Sequence, residues 1–100
     1  MLSEQERGRS VEVPRDSVIT LRLKENPTTG YLWSVEATNG LELVGNRFEE
    51  GGPAIGAAGA RVFQFRTPRA GLHKLRLKNW REWEGEISVI DRFDANIIVK

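Results

Sequence analysis

Three stretches of the chain, SVITLRLK (17–24), ARVFQFRT (60–67) and LHKLRLKN (72–79), alternate apolar and polar residues with a period of two. Successive side chains of an extended strand point to opposite faces, so this pattern describes a strand with one buried and one wet face. A helix, with its period of 3.6, cannot satisfy it. In the first stretch Ile19, Leu21 and Leu23 share a face opposite Val18, Thr20, Arg22 and Lys24. In the second, Phe63 and Phe65 point inward and Val62, Gln64 and Arg66 outward; in the third, His73, Leu75 and Leu77 oppose Leu72, Lys74, Arg76 and Lys78. YLWSVEAT adds Tyr31, Trp33, Val35 and Ala37 on one face and ends at the Asn39-Gly40 turn signal. LELVGNRF (41–48) is a weaker strand in which Gly45 marks a bulge or an early end. The chain ends on EISVIDRFDANIIVK (86–100), read as one long or two short strands, and a further strand edge lies near Val11 to Val13.

No segment sustains a helical apolar period, and turn signals recur at roughly the 8–14-residue spacing of short antiparallel strands. The expected fold is all-β, an immunoglobulin-like β-sandwich of about seven to eight mostly antiparallel strands. Trp33 falls on the third of them, where such folds often bury a tryptophan. Phe63, Phe65, Leu75, Leu77, Phe93, Ile97 and Val99 are the expected core. One hundred residues, 39% of them hydrophobic, suffice for one such domain and no more. Residues 1–10, polar and aperiodic, are expected to form a flexible N-terminal segment, and 11–100 the domain.

Composition removes whole classes of function. Lys+Arg 15 against Asp+Glu 14 gives a net charge of +1, too little to recruit nucleic acid or an anionic membrane. No apolar run is long enough to span a bilayer, and the first residues lack a basic stretch followed by an apolar one. A chain trimmed of an export signal would read the same, so the compartment stays open, the periplasm and the exterior included. With no cysteine and one histidine there is no disulfide or catalytic thiolate, and any triad or zinc site would depend on His73 alone. No cofactor, no metal and no enzymatic activity are expected, and the chain is expected to be a monomer.

What remains is carried by loops. In Asn26-Pro27-Thr28-Thr29-Gly30-Tyr31, Asn26 can bond the backbone ahead of it, Pro27 fixes one φ, and Gly30 permits a positive φ where the chain turns back. Two threonines then sit at the tip of a stiff loop, ready to meet a partner at little ordering cost. Local chemistry alone favours an ordinary turn. Gly56-Ala57-Ala58-Gly59-Ala60 lacks the helix and the lysine of a phosphate-binding loop. Its small side chains suit either close approach by a partner or a plain connector. In Trp80-Arg81-Glu82-Trp83-Glu84-Gly85, tryptophan and arginine are the residue types that dominate binding energy; Trp83 is the one expected to be displayed, while Trp80 either caps the core or joins it outside. Glu82, Glu84 and Glu86 as an acid cluster, and Lys74, Arg76 and Lys78 as a basic stripe, read more simply as wet strand faces.

The order of these loops resembles the chagasin family of cysteine-protease inhibitors. NPTTGY at Asn26 to Tyr31, followed by Trp33, matches the family's first-loop motif. GAAGA at Gly56 to Ala60 is similar to its glycine-rich loop, and TPRAGLHKLRL before Arg81-Glu82-Trp83 resembles the strand leading to its Arg-Pro-Trp motif. The resemblance implies a tight, reversible inhibitor of papain-like cysteine proteases, papain and cathepsin L-like enzymes among them, that plugs the active-site cleft with three loops. It implies that Asn26, Pro27, Thr28, Thr29, Gly30 and Tyr31 meet the catalytic centre. Gly56, Ala57, Ala58 and Gly59 would then meet one wall of the cleft, and Arg81 and Trp83 the other. Glu82 departs from the family pattern, which has proline there. The alternative is a non-inhibitory immunoglobulin-like interaction module that uses the same end of the sandwich for another protein.

Overall fold

A computed structural model describes residues 1–51 and 59–100. Among the described residues seven strands form two sheets: β1 (Ser10–Val13), β2 (Val18–Glu25), β3 (Leu32–Ala37), β4 (Glu42–Glu49), β5 (Gly59–Arg66), β6 (Gly71–Trp80) and β7 (Asp91–Val99). One sheet has the order β1-β7-β6-β3 and the other β2-β5-β4. Every pairing is antiparallel except that of β1 with β7. The all-β sandwich expected from the alternation is present, and its core contains Leu21, Leu23, Phe63, Phe65, Leu75, Leu77, Phe93, Ile97 and Val99, all almost wholly buried. Trp33 closes the core near the loop end, its indole N–H donating to the Lys24 carbonyl at 2.8 Å. The irregularity expected at Gly45 is a register shift between Leu43 and Gly45 in the pairing of β4 with β5.

Val62 was expected on the wet face of β5 and is buried. β5 is the central strand of its sheet, and Val62 lies between Arg22 on β2 and Arg47 on β4. Both guanidiniums reach the Glu49 carboxylate, at 3.1 and 3.0 Å, and the stems of such long charged side chains cover apolar surface between them. The N-terminal segment also touches the sandwich. Leu2 is buried, its N–H donates to the Thr20 carbonyl at 2.7 Å, and its own carbonyl accepts from Arg22 N–H at 2.9 Å, extending the edge of β2. A capping box between Ser3 and Glu6 starts the short 3₁₀ turn Glu4–Glu6 that holds it there. At the opposite rim His73 is buried: Nδ1 accepts from Gly40 N–H at 3.2 Å and Nε2 lies 2.9 Å from the Arg69 carbonyl, which fixes the tautomer with the proton on Nε2.

Pairing sets where the loops emerge. Glu25, the last residue of β2, lies opposite Gly59, and Leu32 lies opposite Trp80. The connections β2 to β3, β4 to β5 and β6 to β7 therefore all leave the same end of the sandwich.

Candidate functional site

The neck of the first loop is an ion pair. The Glu25 side chain is wholly buried; one carboxylate oxygen accepts from Trp33 N–H at 2.8 Å, and the other from Arg61 Nε and Nη2 at 3.0 and 2.8 Å. Every acceptor direction of a buried carboxylate needs a donor, and here β3 and β5 supply them, so the carboxylate ties the two sheets together beside Asn26. Arg61 also donates to Asn46 Oδ1 and lies over the Phe48 ring.

Above the neck the chain makes a 3₁₀ turn, Pro27–Thr29. Asn26 Oδ1 accepts from the backbone N–H and hydroxyl of Thr28, at 3.1 and 2.7 Å, and Thr29 Oγ1 donates to the Asn26 carbonyl at 2.9 Å. Gly30 follows with φ +78°, the left-handed conformation that a side chain resists. Asn26 and Gly30 thus act as the turn chemistry of the sequence suggested, whereas both threonine hydroxyls, expected to be held out to a partner, are turned back onto Asn26. Both threonines remain exposed at the tip, while their hydroxyls donate inward to Asn26 and Thr29 Oγ1 also accepts from Tyr31 N–H at 3.4 Å.

The third loop consists of two consecutive 3₁₀ turns, Glu82–Glu84 and Glu86–Ser88, joined at Gly85 with φ +77°. Ser88 knots them: its buried hydroxyl accepts from Arg81 N–H at 3.0 Å and lies within hydrogen-bond distance of the Arg81 and Gly85 carbonyls. The alternation of Glu82, Glu84 and Glu86 is therefore not that of a strand edge. Glu84 pairs with Arg81 at 3.2 Å, and Glu86 with Lys78 and Arg92 at 3.1 and 3.4 Å. The hydrogen bond from Lys78, together with the charges of Lys78 and Arg92, holds the Glu86 carboxyl below its ordinary 4.5. Trp80 lies under this loop, its indole N–H on Ser34 Oγ at 3.0 Å and the Lys78 ammonium over its ring.

Arg81 joins the third loop to the first. Its Nε and Nη2 both donate to the Thr29 carbonyl, at 3.1 and 2.9 Å, and its guanidinium lies 4.3 Å from the centre of the Tyr31 ring. Trp83 is 72% exposed, yet the edge of its ring rests on Gly30, where a Cβ would come within 2.9 Å of it. The expected pairing of Asn26 to Tyr31 with Arg81 and Trp83 in one place is thus a contact. Of the glycine-rich segment, Gly56, Ala57 and Ala58 lie outside the described residues. Gly59 is the first residue of β5, with its backbone packed against Phe48 and the Glu49 carbonyl. Among the described residues no group of three or more acidic or histidine side chains is placed to hold a metal ion, and no helix is long and apolar enough to cross a membrane.

Residues 12–97 match the family model described as Chagasin family peptidase inhibitor I42. The chain belongs to the chagasin family. A relative within it, Chagasin of Trypanosoma cruzi, is 28% identical over 93 residues, which span 86% of this chain and 84% of that protein. Among solved structures, the cysteine protease inhibitor EhICP2 of Entamoeba histolytica superposes with a TM-score of 0.88 at 22% identity, over 99% of this chain and 93% of its own. PbICP-C, solved in complex with falcipain-2, superposes with a TM-score of 0.67 at 12% identity, over 95% and 92%. These likenesses add the fold to the family match.

Proposed function

We propose that this protein is a tight, reversible inhibitor of papain-like cysteine proteases that closes the active-site cleft with three loops. The observation that carries the reading is the Arg81 clamp on the Thr29 carbonyl, which binds the family's first-loop motif to the third loop before any partner arrives. Association costs ordering entropy for every loop that is mobile beforehand, so loops already joined retain more of their contact energy. Thr28 and Thr29 sit against the catalytic cysteine and histidine of the protease. Trp83 packs on the wall to one side with Arg81 beside it, and the remaining contact is assigned to Gly56, Ala57 and Ala58. A standard interface buries about 800 Å² per partner, within reach of three such loops.

Inhibition here means occupancy without turnover. The Thr29 carbonyl oxygen is already occupied by two guanidinium N–H groups of Arg81, which supports a first loop that enters the cleft without placing that oxygen in the protease's own oxyanion hole. The reading assigns the protein no catalysis of its own. The test is a titration of the purified protein against active-site-titrated papain, following hydrolysis of a fluorogenic peptide, with the inhibitor recovered and weighed afterwards by mass spectrometry. Stoichiometric loss of activity with the inhibitor intact is expected. No inhibition by a folded sample transfers the same loops to a non-inhibitory interaction module, and cleavage of the first loop makes the protein a substrate.

A further inference from the structure

Ile87 is the most exposed large apolar residue among those described, at 94%. It occupies the middle of the turn Glu86–Ser88, which is pinned on every side. Ser88 N–H donates to the Gly85 carbonyl at 3.0 Å, Val89 N–H to the Glu86 carbonyl at 3.1 Å and Ile90 N–H to the Asn79 carbonyl at 2.9 Å. The Ser88 hydroxyl closes the loop from beneath, and Glu86 is moored to Lys78 and Arg92. Singly exposed apolar residues are ordinary on a protein surface; Ile87 differs in standing four residues from the exposed Trp83 on the loop already assigned to the partner.

We propose that Ile87 is a second apolar anchor of the third loop, buried beside Trp83 against an aliphatic or aromatic shelf flanking the protease cleft. The proposal rests on the inhibitor reading above. Three features favour it over a solvent-facing role. The β-branched side chain has one dominant χ1 rotamer and little entropy to lose on burial. Ser88 of the second turn bonds to the N–H and carbonyl of Arg81, which opens the first, so Trp83 and Ile87 approach a partner as one body. Glu84 and Glu86 already have partners within this chain, so covering the loop strands neither charge.

The test compares inhibition of papain by the wild-type protein and by Ile87→Ser, Ile87→Val and Ile87→Asp, with dissociation rates and melting temperatures measured alongside. Because the side chain lies outside the fold's core, melting temperatures are expected to be unchanged. Loss of a buried isoleucine anchor is expected to weaken inhibition by Ile87→Ser about tenfold or more, chiefly through faster dissociation, and Ile87→Asp further, while Ile87→Val stays within about threefold. Equal inhibition by wild type and Ile87→Ser overturns this proposal and leaves the inhibitor reading standing. A folded wild type that does not inhibit overturns both.

Discussion

Glu82→Pro is a substitution for which sequence and structure make the same forecast. Glu82 opens the turn Glu82–Glu84, and the residue before it, Arg81, has φ −100° and ψ 108°, the extended conformation that a following proline demands. The first position of a helical turn has no intrahelical acceptor for its N–H, so proline removes no bond there, and its fixed φ suits the turn. The Glu82 side chain is exposed and makes no hydrogen bond or ion pair among the described residues, so its removal deprives the fold of nothing. A compatible proline is worth about 0.4–1 kcal/mol through restriction of the unordered chain. To the extent that the third loop orders on binding, that figure is about a two- to fivefold tighter inhibition constant. The assay is competitive inhibition of papain by wild type and Glu82→Pro, with thermal denaturation of each. Tighter inhibition through slower dissociation is expected. A variant with a raised melting temperature and unchanged or weaker inhibition refutes the reasoning, because the gain then lies in the unfolded chain and loop order is not what limits binding.

Other perturbations follow from the same geometry. Arg61→Met strands the buried Glu25 carboxylate and is expected to cost about 3 kcal/mol in urea unfolding, and the double variant with Glu25→Gln is expected to recover much of it. Gly30→Ala forces a side chain into φ +78° and against the Trp83 ring, so tryptophan fluorescence should change and inhibition weaken about tenfold or more. For Glu86, whose folded carboxyl titrates below its ordinary 4.5, the stabilising pairing with Lys78 is complete above pH 4.5 and is lost as pH falls through the lowered value. An NMR titration should place its midpoint below that of the same carboxyl in Lys78→Met, and equal midpoints would remove Lys78 as the cause.

The strands were legible because each half-buried strand repeats its instruction at every second residue: Leu21, Phe63 and Leu77 all face inward as the alternation requires. The bulge at Gly45 was legible because glycine weakens a strand in a recognisable place. Leu2 was missed because one apolar residue in a polar stretch carries no period, although the Ser3 to Glu6 spacing was a capping signal. EISVI alternates and so read as strand, which hid Ile87; the turn arises instead from Gly85 and from the capture of Ser88 by Arg81. The threonine tip and the displayed Trp83 were readable from residue type. The clamps that hold them, Arg81 on Thr29 and Arg61 on Glu25, join residues 52 and 36 apart in the chain, a distance at which no local spacing rule operates.

The central claim is that the first and third loops together block a papain-like cleft, and the most direct measurement is the inhibition constant against papain of wild type, Thr29→Ala, Trp83→Ala and the double variant. Thr29 and Trp83 are both exposed, so the fold is expected to survive each change. The account predicts near-stoichiometric inhibition by the wild type, at least tenfold weakening by Trp83→Ala, a smaller loss with Thr29→Ala, and a double variant weaker than either. Full inhibition by the double variant in a correctly folded sample would contradict it.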